Sequence, residues 1–98
     1  MMRRKLKLDL HTHCFEALDF PIPSVEVVSR IVAAVEESGL DGIAITEHNT
    51  VWYGFRARDI AEQVLNSEVL IIPGLERDIK LTARLSVQVV ELYLLLVP

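Results

Sequence analysis

Hydrophobic and polar residues alternate one by one over residues 5–10, which read K-L-K-L-D-L. A period of two residues is typical of a β-strand with one buried face, so the sequence predicts a strand here. Apolar residues then recur at helical spacing, between an N-cap residue, Ser24, and a helix-ending glycine, Gly39. These signals together predict a helix over 24–38. The apolar face of this helix consists of Val27, Val28, Ile31, Val32, Ala34 and Val35.

Two further strands and a second helix follow along the chain. The runs I-A-I-T at 43–46 and V-L-I-I at 69–72 are short and apolar, which is typical of buried strands in a parallel sheet. Helical spacing predicts a helix over roughly 54–66 between them, and Pro73-Gly74 is expected to close the third strand. Residues 77–82 and 86–96 look extended and suggest a hairpin. Strands that alternate with helices predict an α/β fold.

The composition limits the class of protein. The chain has 98 residues, and 51% of them are apolar, so it can build the core of one small domain and is not disordered. The net charge is −4 and no basic stripe is present, so no bulk nucleic-acid surface is expected. Neither end reads as a signal peptide or a membrane span. A single cysteine, Cys14, excludes an internal disulfide and indicates a reducing, cytoplasmic compartment.

The stretch L-D-L-H-T-H-C at 8–14 carries candidate chemistry at the end of the first strand. Residues two apart on a strand share a face, so Asp9, His11 and His13 are expected on one side, with the two histidine Cα atoms about 7 Å apart. Two imidazoles at that separation can close on one metal ion. Two partly exposed polar residues at a strand end remain the alternative. Asp9 is either an acceptor for a ligating imidazole N–H or an ordinary polar residue.

The other two strands also end in residues that can bind metal. The second strand ends in Thr46-Glu47-His48-Asn49, and the third ends in Pro73-Gly74-Leu75-Glu76. His48 or Glu76 alone fits an ordinary polar residue. In parallel α/β sheets, however, ligand sites lie at the carboxyl ends of the strands. Three successive strands that deliver such side chains to one edge therefore predict a metal site.

The motifs D-L-H-T-H at 9–13, I-T-E-H-N-T at 45–50 and I-P-G-L-E at 72–76 resemble the first three motifs of the PHP (polymerase and histidinol phosphatase) superfamily. Members of that family resemble a distorted seven-stranded, TIM-like (β/α) barrel, bind up to three metal ions and hydrolyse phosphoesters. The resemblance implies a partial PHP-type (β/α) barrel with the first three βα units and C-terminal extended strands. At about half the length of such a barrel, residues 1–98 are expected to be a single truncated domain.

The resemblance also implies roles for individual residues. His11 and His13 would bind one metal ion, Glu76 would bridge it to a second, and His48 would bind a third, which makes Glu76 and His48 the catalytic candidates. Asp19 best matches a further ligand in the loop after H-x-H. Glu16 is the alternative for that ligand, and a turn residue before Pro21 is the alternative role for Asp19.

The chain also departs from the family pattern. It has no histidine left for the family's later ligand positions, where Glu91 is either a substitute or a polar residue at a strand edge. Cys14 is out of phase with the two histidines and is expected to be a small buried side chain. Trp52 and Tyr53 follow the His48 loop, where they either stack on a substrate ring or pack against the protein.

The function expected from these residues is metal-dependent hydrolysis of a phosphate ester, with Zn²⁺, Mn²⁺ or Fe²⁺ as cofactor. The metal would lower the pKa of a water molecule, which becomes the nucleophile. The substrate would be a phosphorylated small molecule or a nucleotide. One alternative is a catalytically silent or truncated metal-binding fragment. Another is an amidohydrolase-type barrel, against which the T-E-H and P-G-L-E motifs argue. An apolar last strand predicts a homo-oligomer or docking onto a missing C-terminal half.

Overall fold

The computed structural model describes residues 5–14, 22–48, 50–84 and 86–93. These residues form one sheet with strand order β1-β2-β3-β4, in which the first three strands are parallel and the last is antiparallel to its neighbour. The elements in chain order are β1 (Leu8–Thr12), α1 (Val25–Glu37), β2 (Gly42–Glu47), α2 (Trp52–Asp59) with a π-helical continuation (Ile60–Val64), β3 (Leu70–Lys80) and β4 (Ser86–Leu92).

Helix α1 confirms the helix predicted over 24–38. The Ser24 hydroxyl accepts a hydrogen bond from the Val27 backbone N–H at 3.1 Å, which satisfies one of the unpaired donors of the first turn. Gly39 follows the helix with φ = +72°, a left-handed conformation that glycine adopts without a steric penalty. The buried side of the helix consists of Val28, Val32 and Val35.

The hydrophobic core lies between the helices and one face of the sheet. Strand β2 is buried along its whole length, and its Ile43 and Ile45 contribute to the core together with Ile71 of β3. Tyr53 and Ile60 reach the same core from α2 and its π-helical continuation. Strands β2 and β3 approach closely at Gly42, where a Cβ atom would lie 2.4 Å from the Leu70 carbonyl oxygen. The core therefore fixes β2 and β3 relative to each other.

The second helix agrees with the prediction only in part. It begins at Trp52, two residues before the predicted start, and its last turn is π-helical, with Leu65 N–H donating to the Ile60 carbonyl at 2.9 Å. A left-handed residue, Asn66 with φ = +51°, then ends the segment. The apolar spacing of 54–66 shows a helical face, but it does not distinguish an α-helical from a π-helical turn.

The prediction that Pro73-Gly74 ends the third strand is wrong. Strand β3 runs through both residues to Lys80. The ladder with β4 begins at the pair of Gly74 and Leu92, and Pro73 contributes its carbonyl oxygen, which accepts from the Tyr93 N–H at 2.8 Å. Proline is tolerated where no ladder donor is required, which is the case at this end of the β3–β4 ladder.

The predicted partial (β/α) barrel with three βα units is also wrong. Within the described residues two helical segments are present, and β3 is followed by the antiparallel strand β4 instead of a third crossover helix. The physical reason is local. Polar residues occupy every second position from Glu76 to Thr82. The alternate positions hold Leu75, Ile79 and Leu81, interrupted by Arg77, which is closer to a strand period than to a helical one. The fold is a small mixed α/β structure with a curled four-stranded sheet.

Candidate metal centre

Glu76 lies inside strand β3. The sequence had suggested that this strand closes at Pro73-Gly74, before Glu76. It pairs with Val90 of β4, and its side chain is only 2% exposed. Successive side chains of a strand point to opposite faces, so Glu76 lies on the face opposite to Ile71 and the helices. A carboxylate is rarely buried without a partner, because removing its charge from water is costly. Glu76 therefore needs partners on this face of the sheet.

Both histidines of the H-x-H motif contact the same oxygen of Glu76. The Nε2 atoms of His11 and His13 each lie 2.7 Å from Glu76 Oε2, and the two rings meet edge to face with centroids 5.1 Å apart. Thr12 lies between them and is tied to β2, because its hydroxyl donates to the Ala44 carbonyl oxygen at 2.5 Å. The register between β1 and β2 shifts between Asp9 and Thr12. The end of β1 is thus anchored with both imidazoles turned towards β3.

His48, which follows β2, completes the group. Its ring stacks on that of His13 with centroids 4.8 Å apart and planes 7° from parallel. Its Nε2 lies 3.8 Å from Glu76 Oε2. All three histidines of the chain therefore face one carboxylate oxygen. Glu76 lies just beyond the pair of Glu47 and Leu75, where the parallel ladder of β2 and β3 ends.

His11, His13 and Glu76 could hold a metal ion. Each offers one ligand atom, and these atoms lie within 4.8 Å of one another. Two imidazole nitrogens and one carboxylate oxygen are a donor set that divalent transition metals accept. Both imidazole side chains are about two-fifths exposed, at 44% and 39%, while the carboxylate is buried. An ion at this position would be fixed from the protein side and reachable from solvent.

The cluster also acts on the protonation of Glu76. A hydrogen bond from His11 is the largest influence and lowers the pKa of the carboxyl group below its ordinary value of 4.5. Burial opposes this effect, because it disfavours the charged form, while the charges of the three histidines reinforce it. Glu76 is therefore held as a carboxylate, the form in which it binds a metal ion.

Glu47 is part of this site, and the sequence had assigned it no role. Its Oε1 lies 3.2 Å from Nδ1 of His13, and its Oε2 accepts a hydrogen bond from the Cys14 backbone N–H at 2.8 Å. Asp9 had been considered as an acceptor for an imidazole N–H, but its Oδ1 accepts from the His11 backbone N–H at 3.1 Å. The available signal was the position of Glu47 at the end of a fully buried strand, where a carboxylate needs a partner.

The remaining candidates lie apart from the cluster or outside the described residues. Glu91 pairs with Leu75 on the opposite face from Glu76, where it accepts from the Tyr93 hydroxyl at 3.0 Å and forms an ion pair with Arg77. It is therefore not a substitute ligand for this group. Asp19 and its alternative Glu16 lie outside the described residues, so the predicted ligand in that loop stays a prediction.

The two aromatic residues after the His48 loop differ in their surroundings. Tyr53 is fully buried in the core, and its hydroxyl donates to Sγ of Cys14 at 3.1 Å. This contact fits the packing alternative for Tyr53 and not stacking on a substrate. Trp52 is 71% exposed and contacts Phe55, with ring centroids 5.8 Å apart.

Comparison with known proteins finds a relative of this chain. An uncharacterized protein of Methanocaldococcus jannaschii is 32% identical over 81 residues, with 70% of this chain and 47% of the relative covered. The chain therefore spans about half the length of this curated relative. No family model matches the chain, and neither does any solved structure. Among the described residues, every helix is too short or too polar to cross a membrane.

Proposed function

We propose that this chain is a PHP-type, metal-dependent phosphoesterase, which hydrolyses a phosphate ester with a metal-activated water molecule. The observation that carries the proposal is the convergence of the H-x-H, T-E-H and P-G-L-E motifs on one carboxylate oxygen, that of Glu76. The three motifs alone support the proposed membership of the PHP superfamily, and a complete barrel is not required for it. The substrate class proposed is a phosphorylated small molecule or a nucleotide.

The donor set favours Zn²⁺, Mn²⁺ or Fe²⁺, because a mixed imidazole and carboxylate set suits these ions better than it suits Ca²⁺. When bound, such an ion supplies Lewis-acid polarisation of the phosphoryl oxygen and lowers the pKa of a water molecule. His11, His13 and Glu76 hold the ion in this proposal. His48 is 49% exposed beside them, so it faces the side from which a substrate would approach.

A second candidate is a metal-binding protein without turnover of its own. The described residues assemble one ion-sized cluster, whereas two-metal hydrolysis uses two ions about 3.5–4 Å apart. We therefore expect weak or no phosphatase activity from the 98-residue chain alone. In this case the same ligands would serve binding only.

Hydrolysis of an aryl phosphate with added Mn²⁺ tests the first candidate. The expected result is slow turnover that Glu76→Ala abolishes and that the surface variant Glu62→Ala leaves unchanged. Metal binding without any turnover would favour the second candidate. Turnover that survives Glu76→Ala would contradict the proposed site.

A further inference from the structure

Glu47 makes two contacts that a mere surface carboxylate would not make. Its side chain is 8% exposed at the end of β2, and both of its oxygens are engaged. One oxygen faces the His13 ring at Nδ1, and the other accepts from the backbone N–H of the next residue, Cys14. The carboxylate therefore holds both the side chain of His13 and the chain just beyond it.

The His13 ring is placed between two carboxylates. Its Nδ1 faces Glu47 at 3.2 Å, and its Nε2 faces Glu76 at 2.7 Å. A neutral imidazole has only one N–H, so it can donate to only one of these acceptors. An ionised carboxylate can only accept. Without a metal ion, the shorter contact favours the proton on Nε2, because a bare Nε2 and an ionised carboxylate are both acceptors. A cation between Nε2 and Glu76 would move the proton to Nδ1, where Glu47 can accept it.

We propose that Glu47 is a positioning residue that orients the His13 ring and accepts its Nδ1–H when Nε2 binds the metal ion. The inference rests on the metal site of the proposed function. Metal-binding histidines commonly donate their second ring N–H to a carboxylate, which fixes the tautomer and the orientation of the ring. The stacked ring of His48, at 4.8 Å, limits the rotation of His13 from the other side.

Glu47→Gln tests this role with little change in shape. The amide oxygen can keep the hydrogen bond from the Cys14 N–H, but the amide NH₂ then faces Nδ1 of His13 and donates to it. This contact keeps the ring proton on Nε2, the nitrogen required by the metal. We expect the affinity for Zn²⁺ to fall about 10- to 100-fold, while Glu62→Gln, on the exposed surface of the π-helical segment, leaves it unchanged.

The hydrogen bond can be observed in the Zn²⁺-loaded protein. Long-range ¹H–¹⁵N NMR spectra of the histidine rings, recorded well above the usual histidine pKa of about 6.5, should show His13 bound through Nε2. Its Nδ1–H proton should be shifted downfield by the Glu47 carboxylate in the wild type and not in Glu47→Gln. A merely structural role would not move this signature. Glu47→Asp keeps an acceptor-only group and should keep the downfield-shifted Nδ1–H proton, which provides a second variant if the glutamine variant does not fold.

A double-mutant cycle shows whether Glu47 acts through His13. In a His13→Ala background, Glu47→Gln should cause no further loss of Zn²⁺ affinity. Equal Zn²⁺ affinity of Glu47→Gln and wild type, or a Zn²⁺-loaded wild type without a downfield-shifted Nδ1–H proton, would overturn the inference. A wild type that binds no Zn²⁺ would instead contradict the proposed metal site itself.

Discussion

Replacing Glu76 with glutamine should remove most of the stabilisation that a metal ion gives to the fold. The substitution keeps the size of the side chain, which is 2% exposed, so it opens no cavity next to Gly74 and Val90. It replaces a charged ligand that both His11 and His13 approach to 2.7 Å with a neutral amide. The metal-free variant should therefore fold, and its response to metal should change.

The expected magnitude follows from ligand linkage. Zn²⁺ at 100 times its Kd stabilises a folded protein by about 2.7 kcal/mol. For a domain of this size, that corresponds to a rise in Tm of about 11–22 °C, at roughly 4–8 °C per kcal/mol. Losing a ligand should weaken binding at least as much as losing a group that hydrogen-bonds to a ligand, for which about 100-fold is the upper range. At the same Zn²⁺ concentration the stabilisation then falls to about 0.4 kcal/mol, or roughly 2–3 °C.

Thermal unfolding followed by circular dichroism, with and without Zn²⁺, measures both quantities. Glu62→Gln removes the same charge from an exposed position and serves as the control, with a metal-induced shift equal to that of the wild type. An unchanged metal-induced shift in Glu76→Gln would refute the reasoning, because it would show that the stabilising ion binds elsewhere.

Three further predictions concern the fold and its assembly. Ser24→Ala should lower the free energy of unfolding by about 1 kcal/mol because the N-cap of α1 is lost, and an unchanged urea midpoint would contradict this. Gly42→Ala should destabilise the chain by about 1–3 kcal/mol, because its Cβ would overlap the Leu70 carbonyl oxygen between β2 and β3; a stability equal to the wild type would show that the strands separate freely. Among the described residues, no strand pairs with the outer edges of β1 and β4, so the sheet should pair with another chain; a stable 11.1 kDa species in size exclusion with light scattering would contradict that.

The local elements were predictable where two independent signals agreed. Helix α1 has an apolar stripe, a cap at Ser24 and a glycine stop at Gly39, and all three act within the segment itself. The grouping of His11, His13 and Glu76 was predictable for a different reason, because the carboxyl ends of parallel strands meet at one edge. Neither inference required knowledge of the rest of the chain.

The roles of Pro73 and Glu47 were missed because long-range pairing decides them, whereas the barrel was wrongly expected because of the resemblance. Pro73 reads as a strand end, but β4 returns beside β3 in a register that requires no donor from Pro73. The resemblance to a barrel family implied a third βα unit, although the two-residue period after Leu75 indicated an extended chain. The role of Glu47 depends on the His13 ring, 34 residues away in sequence, and no local pattern specifies that contact.

Metal content is the most direct test of the central claim, that His11, His13 and Glu76 form a metal site. Metal analysis of the purified wild type after incubation with Zn²⁺ and removal of unbound ions should give one ion per chain. The double variant His11→Ala/His13→Ala, treated identically and shown to be folded, should retain none. Equal metal content in the wild type and the double variant would contradict the account.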